Sequence, residues 1–229
     1  MLIYRKILFV FFLSIFSYSF CLGQTENFDR IYGLDPTLYN GKLYTFVPPA
    51  GSAGDQFLEN KIYSPGSATI KGKKYDSLLL NYDLVNQQLL LRFRHLKGTT
   101  SILCLSKSTL DNIAFNNKVF EVLKPANSEE TIYQTIGKGK AKIIFSWWKV
   151  LSANNSYGES NMVFSKAHRA MFVYRNNQAF KYKNNRSFVF CFPKEQQQSI
   201  KQYLRQNNFK VSSLSDAELA VVIDFCNTI

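Results

Sequence analysis

Between about Gly41 and Phe192, apolar and polar side chains alternate with a period of two, broken at short intervals by turn signals. An antiparallel sheet with one buried face produces this pattern, because successive residues of a strand point to opposite sides. "SLLLNYDL" and "QQLLLRFRH" form a hairpin around Asn86, and "TSILCL" follows as the next strand. "HRAMFVYR" and "QAFKYK" pair across Asn176 and Asn177, residues that tolerate the left-handed backbone of a tight hairpin. "SFVFCF" reads as a further strand, with Phe188, Phe190 and Phe192 on a face that must be buried. With 20 Phe, 13 Tyr and 2 Trp, the chain has the bulky side chains that fill such a core. The expected class is mainly β, an antiparallel barrel-like or sandwich sheet.

The last forty residues change period. Pro193 suits the first turn of a helix, and Ile200, Tyr203 and Leu204 at i, i+3 and i+4 make one narrow apolar stripe until Asn207 and Asn208 end it. A second helix starts at Ser215, whose hydroxyl can cap Glu218 while the Glu218 carboxylate reaches back. Leu214 and Leu219 stand at the staple positions around that cap. A C-terminal pair of α-helices packed on the sheet gives an α+β chain. No internal repeat, low-complexity tract or long linker interrupts it. "LSANNSYGESN" (Leu151 to Asn161) and "VPPAGSAGD" read as irregular loops.

The first residues are built for export. Arg5 and Lys6 precede the apolar run "ILFVFFLSIF", and small residues follow before Gln24, the three-part layout of a secretory signal peptide. The run is too short to span a bilayer, which takes about 20 apolar residues in a helix. Cleavage after Gly23 divides the chain into a signal peptide (1–23), an antiparallel β domain (24–192) and a C-terminal helical segment (193–229). Cys21 would accept a lipid, but Tyr18, Ser19 and Phe20 are poorly suited to precede such a site. Three cysteines remain, Cys104, Cys191 and Cys226, an odd number that argues against a disulfide framework. Of the net charge of +12, only Arg5 and Lys6 leave with the signal, so the mature chain favours acidic surfaces.

"TIGKGKAKIIFSWWKV" (Thr135 to Val150) looks most like a site. A Walker-type phosphate loop fails here, because Ala141 follows Gly139-Lys140 and the position needing the first glycine is Gln134. A hairpin fits instead, turning at Lys138-Gly139. Lys140, Lys142 and Trp148 then share one face, with Trp147 inside and Trp148 at least partly outside. Arg92 and Arg94 project from one face of "LRFRHLK". Together Arg92, Arg94, Lys140, Lys142 and Trp148 are the candidate binding surface for an anionic partner. No catalytic residue stands out: His95 and His168 carry no HExxH spacing, "SKAH" lacks a GxSxG elbow, and Cys191 lies in an apolar run that would suppress its reactivity. No cofactor and no metal site are expected. An outer-membrane barrel is disfavoured by those outward charges, each costing about 2–4 kcal/mol at mid-depth in lipid. No transmembrane segment is expected in the mature chain.

"LYNGKLY", "KGKKYDSLLLNYDL" followed by "QQLLLRF", "IYQTIGKGKAKI" and "NNRSFVFCFPKEQQQSIKQYLRQNNF" ending in "DAELAVVIDFCN" resemble a group of exported β-rich proteins of Bacteroidota with no assigned function. The resemblance spans most of the mature chain and implies a single architecture with the same helical end; it implies no active site. The expected role is a non-enzymatic binding or structural protein in the periplasm, at the outer membrane or outside the cell. Its basic surface would meet an anionic envelope component or another envelope protein, with no specific nucleic acid. The alternative is an exported hydrolase acting on an envelope or extracellular polymer.

Overall fold

The computed structural model describes residues 35–95, 98–154 and 161–229. The expected signal peptide, its cleavage bond and Cys21 lie outside these residues. The first strands are β1 (Lys42–Leu43), β2 (Ser64–Ile70), β3 (Lys73–Asp83), β4 (Gln88–Arg94), β5 (Thr100–Cys104), β6 (Leu110–Phe115) and β7 (Lys118–Leu123). They continue as β8 (Thr131–Ile136), β9 (Ala141–Trp148), β10 (Leu151–Asn154), β11 (Asn161–Phe164), β12 (His168–Arg175) and β13 (Gln178–Tyr182). Among the described residues eleven of them form one antiparallel sheet, in the order β1-β5-β4-β3-β2-β6-β7-β8-β9-β12-β13, and β10 and β11 make a separate hairpin. The polar stretch read as a loop, Leu151 to Asn161, therefore has a strand at each end.

The sheet rolls without closing into a barrel, since β1 and β13 are free ends of the order. Its topology demands the roll. Residues 105–109 join β5 to β6, although β4, β3 and β2 lie between them. Laid flat, β5 and β6 would stand about 19 Å apart, and β6 begins at the far end of β2, where Leu110 pairs with Ile70. A connector this short that contains the helical turn Lys107–Thr109 reaches only about 16 Å. The concave face closes over one cluster, with Ala68 and Ile70 from β2, Leu80 and Tyr82 from β3, Leu91 from β4, Ile113 from β6, Phe120 from β7 and Ile132 from β8. The roll brings the β3–β4 turn against the end of β9, where Gln87 Nε2 donates to the Trp147 carbonyl at 2.9 Å.

The expected hairpins are present. β3 and β4 close at Asp83–Gln88, and β12 and β13 close at Arg175–Gln178 with Asn176 and Asn177 at φ 48° and 57°. The free edge of β13 is finished by a side chain. Asn127 Oδ1 accepts from the Ala179 N–H at 3.0 Å, and its Nδ2 donates to the Ala179 carbonyl at 2.9 Å, so one carboxamide stands in for the next strand. Asn127→Ala is expected to cost about 1–3 kcal/mol and to expose an edge open to a second copy. Thermal melts with size-exclusion chromatography should show a lower Tm and a concentration-dependent larger species. A variant with the parent's Tm and the parent's elution volume at every concentration would contradict this edge role.

One strand assignment is corrected. "SFVFCF" is not a strand; it belongs to α1 (Asn185–Val189) and the turn after it, so the sheet ends at Tyr182 rather than Phe192. Local capping decides this: the Asn184 side chain accepts from the Ser187 N–H at 2.9 Å, and Ser187 Oγ accepts from the Asn184 N–H at 3.1 Å. The change of period moves one phenylalanine. Phe188 and Phe192, four residues apart, stay in the core, whereas Phe190 turns outward and is 62% exposed.

α2 (Lys194–Gln206) and α3 (Asp216–Thr228) follow as expected, with the Ser215–Glu218 capping box formed and Leu219 buried. The three helices cover the concave face of β8, β9, β12 and β13. Phe188, Ile200, Leu204, Leu219 and Ile223 pack there on Ile143, Phe145, Val173 and Tyr182.

Candidate functional site

The two glycines of "TIGKGKAKI" serve helix docking. Gly137 has φ +88°, and a Cβ on it would stand 2.6 Å from Cγ2 of Ile223 on α3; a Cβ on Gly139 would collide with the Asn227 carboxamide. Asn227 needs that room, because its Oδ1 accepts from the Ala141 N–H at 2.8 Å and its Nδ2 donates to the Ala141 carbonyl at 3.0 Å. The β8–β9 ladder ends at Ile136–Ile143, so the connection is wider than the two-residue turn at Lys138-Gly139 that the sequence suggests. Asn227 fills the place of the missing rung.

The five residues of the expected binding surface do not converge. Arg92 and Arg94 line one cleft of about 570 Å³ together with Tyr39, Leu78 and Phe93, where β3 leaves β4 after the Leu79–Arg92 pair. The Arg92 guanidinium lies 5.3 Å from the centre of the Tyr63 ring, and Arg94 Nε donates to the Gly98 carbonyl at 3.2 Å. Five strands separate β4 from β9 in the sheet order. On β9, Lys142 is spent on Glu121, at 2.9 and 3.0 Å from its two oxygens. Trp148 is partly exposed, as the alternation implies, and stacks on the ring of its cross-strand partner His168 at 5.6 Å. Lys140 is exposed in the connection ahead of β9. Trp147 turns inward and donates from Nε1 to Gln134 Oε1 at 2.9 Å.

The residue types that could carry catalysis are dispersed. His95 Nε2 lies 2.9 Å from Ser101 Oγ, yet among the described residues no carboxylate bonds to His95. The three cysteines are free thiols. Burial pushes Cys191 up to about 11 and Cys226 up to about 12, and it also raises Cys104. All three are therefore protonated, poor nucleophiles near neutral pH. No group of His, Cys, Asp or Glu among the described residues could hold a metal ion. No described helix is long and apolar enough to cross a membrane.

A different set of cations shares one concavity. A groove of about 470 Å³ runs between α1 and α2, with Arg186 and Phe190 on one wall and Gln197, Gln198, Lys201 and Arg205 on the other. Helical spacing produces both walls: Phe190, the residue that caps the end of α1, stands four after Arg186, and Gln197, Lys201 and Arg205 follow one another at intervals of four on α2. Val189 and Leu204 form an apolar floor. Asn185 fixes the base, donating to the Phe209 carbonyl at 2.6 Å and accepting from the Val211 N–H at 2.9 Å. The Arg186 guanidinium lies 5.8 Å from the centre of the Phe190 ring. No acidic residue lines the groove, and none of its three cations takes part in an ion pair among the described residues. Arg186 and Arg205 each lie in the last turn of their helix, where the dipole favours a cation.

Reading the sequence as strand followed by helix hides this groove, because a strand at "SFVFCF" buries Phe190 and places Arg186 in a turn. One signal was open to view: residues 181–210 hold seven Lys or Arg against a single acid, Glu195. The chain matches no protein-family model, no curated protein and no solved structure.

Proposed function

We propose that the protein acts outside the cytoplasm as a non-enzymatic binding or structural protein of the cell envelope, whose basic surface meets an acidic envelope component or another envelope protein. The observation that carries this reading is the α1–α2 groove, where Arg186, Lys201 and Arg205 stand together without an acidic partner. Unpaired like charges held close repel one another, and an acidic partner would relieve them. The N-terminal export pattern supports an envelope location.

Salt elution of the mature chain from an anionic polysaccharide matrix tests the reading. Neutralising Arg186, Lys201 and Arg205 to Gln should move elution to clearly lower salt, whereas the charge-matched change of Arg92, Arg94 and Lys140 to Gln should move it little. Equal shifts for the two sets would reduce the binding to diffuse net charge. A second reading, an exported hydrolase acting on an envelope or extracellular polymer, is favoured only by the 2.9 Å contact between His95 and Ser101. Covalent labelling of the protein by a fluorophosphonate, lost in Ser101→Ala, would support it.

A further inference from the structure

We propose that the α1–α2 groove is a receptor site for a compact acid that carries a planar ring, with its phosphate or carboxylate among Arg186, Lys201 and Arg205 and its ring on Phe190. The proposal rests on the acidic-partner reading above and narrows it from a surface to a pocket. At about 470 Å³ the groove falls in the size range of small-molecule sites. Its cations come from both helices that wall the groove, so an anionic group seated between them can be met from either side. Lys201 and Arg205, one helical turn apart, repel each other in the empty groove, and an anion reverses the sign of that interaction.

The ring requirement comes from Phe190. It is the large aromatic that the α1 capping box turns into solvent, and it stands in the groove wall with the Arg186 guanidinium nearby. An exposed aromatic among cations is how proteins stack the planar part of an acidic ligand. The platform is rigid before any ligand arrives: Asn185 ties α1 to Phe209 and Val211, and Phe188 anchors the helix in the core. Such preorganisation limits the entropy lost on binding.

The test titrates the mature chain with phenyl phosphate and with inorganic phosphate at equal ionic strength, using calorimetry. Phenyl phosphate should bind roughly tenfold tighter, a ratio that ring stacking supplies. In Phe190→Ala, whose side chain is outside the core, the ratio should fall to within about twofold while phosphate binding is unchanged. Changing Arg186, Lys201 and Arg205 to Gln should weaken both probes by about tenfold or more. The site as proposed is overturned by equal affinity for the two probes in the parent, or by a preference that survives in Phe190→Ala. Binding of vesicles containing anionic phospholipid without binding of phenyl phosphate would also overturn it, in favour of a membrane surface. If neither probe binds but matrix retention still depends on the three cations, the pocket falls and the broader function stands; if retention is lost as well, both fall.

Discussion

Phe188→Ala should destabilise the protein by about 3–5 kcal/mol, whereas Phe190→Ala, two residues away, should stay within about 0.5 kcal/mol of the parent. Phe188 is fully buried, meets the Tyr182 ring at 5.1 Å and the Phe192 ring at 5.3 Å, and sits where α1 and the sheet share their core. Removing its ring opens a cavity in a region held from both sides, which leaves little room for collapse. Phe190 gives up only surface. For a chain of this size the first loss corresponds to a fall in Tm of roughly 6–20 °C. Calorimetric melts of the two variants decide between helix and strand, because a strand would bury both rings on one face and make the two substitutions comparably costly.

The second large effect concerns the latch between α3 and the β8–β9 connection. Asn227→Ala leaves the N–H and carbonyl of Ala141 without their partners in a site that is 6% exposed, at an expected cost of about 2–4 kcal/mol. Gly139→Ala should cost a similar amount for the reciprocal reason, since its new methyl would occupy the place of the carboxamide. The informative variant combines them. The three atoms nearest the added Cβ all belong to the Asn227 carboxamide, so Gly139→Ala should become nearly neutral once Asn227 is alanine. Urea unfolding of the four proteins should therefore show strong non-additivity, with the double variant close to Asn227→Ala alone. Additive losses would mean that the glycine is required for something other than this latch.

The strands β3, β4, β5, β12 and β13 are legible from apolar runs bounded by turn signals, even where strict alternation fails: β4 is buried on both faces, with Leu89 and Leu91 in the concave cluster and Leu90 against Phe57 and Tyr63. Alternation misleads at "SFVFCF". Phe188 and Phe192 satisfy a helical spacing of four as well as a strand spacing of two, and only the Asn184–Ser187 cap tells the readings apart. Asn176 and Asn177 announce a tight hairpin through their tolerance of positive φ, whereas the end of the β8–β9 ladder depends on Asn227, a residue 86 positions from Ala141. Long-range wedges of this kind leave no local trace. The cations of the candidate groove were visible as a basic run, but their convergence required α1 to exist. The pairing of Lys142 with Glu121 depended on β7 and β9 both flanking β8, which no local pattern of the chain specifies.

Asn127 at the β13 edge and Asn227 at the end of the β8–β9 ladder perform the same task, each offering one donor and one acceptor to a single alanine. Hydrolysis of either amide to a carboxylate removes the donor and sets two oxygens against each other at the alanine carbonyl. The fold thus carries two slow chemical clocks. Wherever a sample aged warm and alkaline loses one of these amides, the seam it closes should loosen.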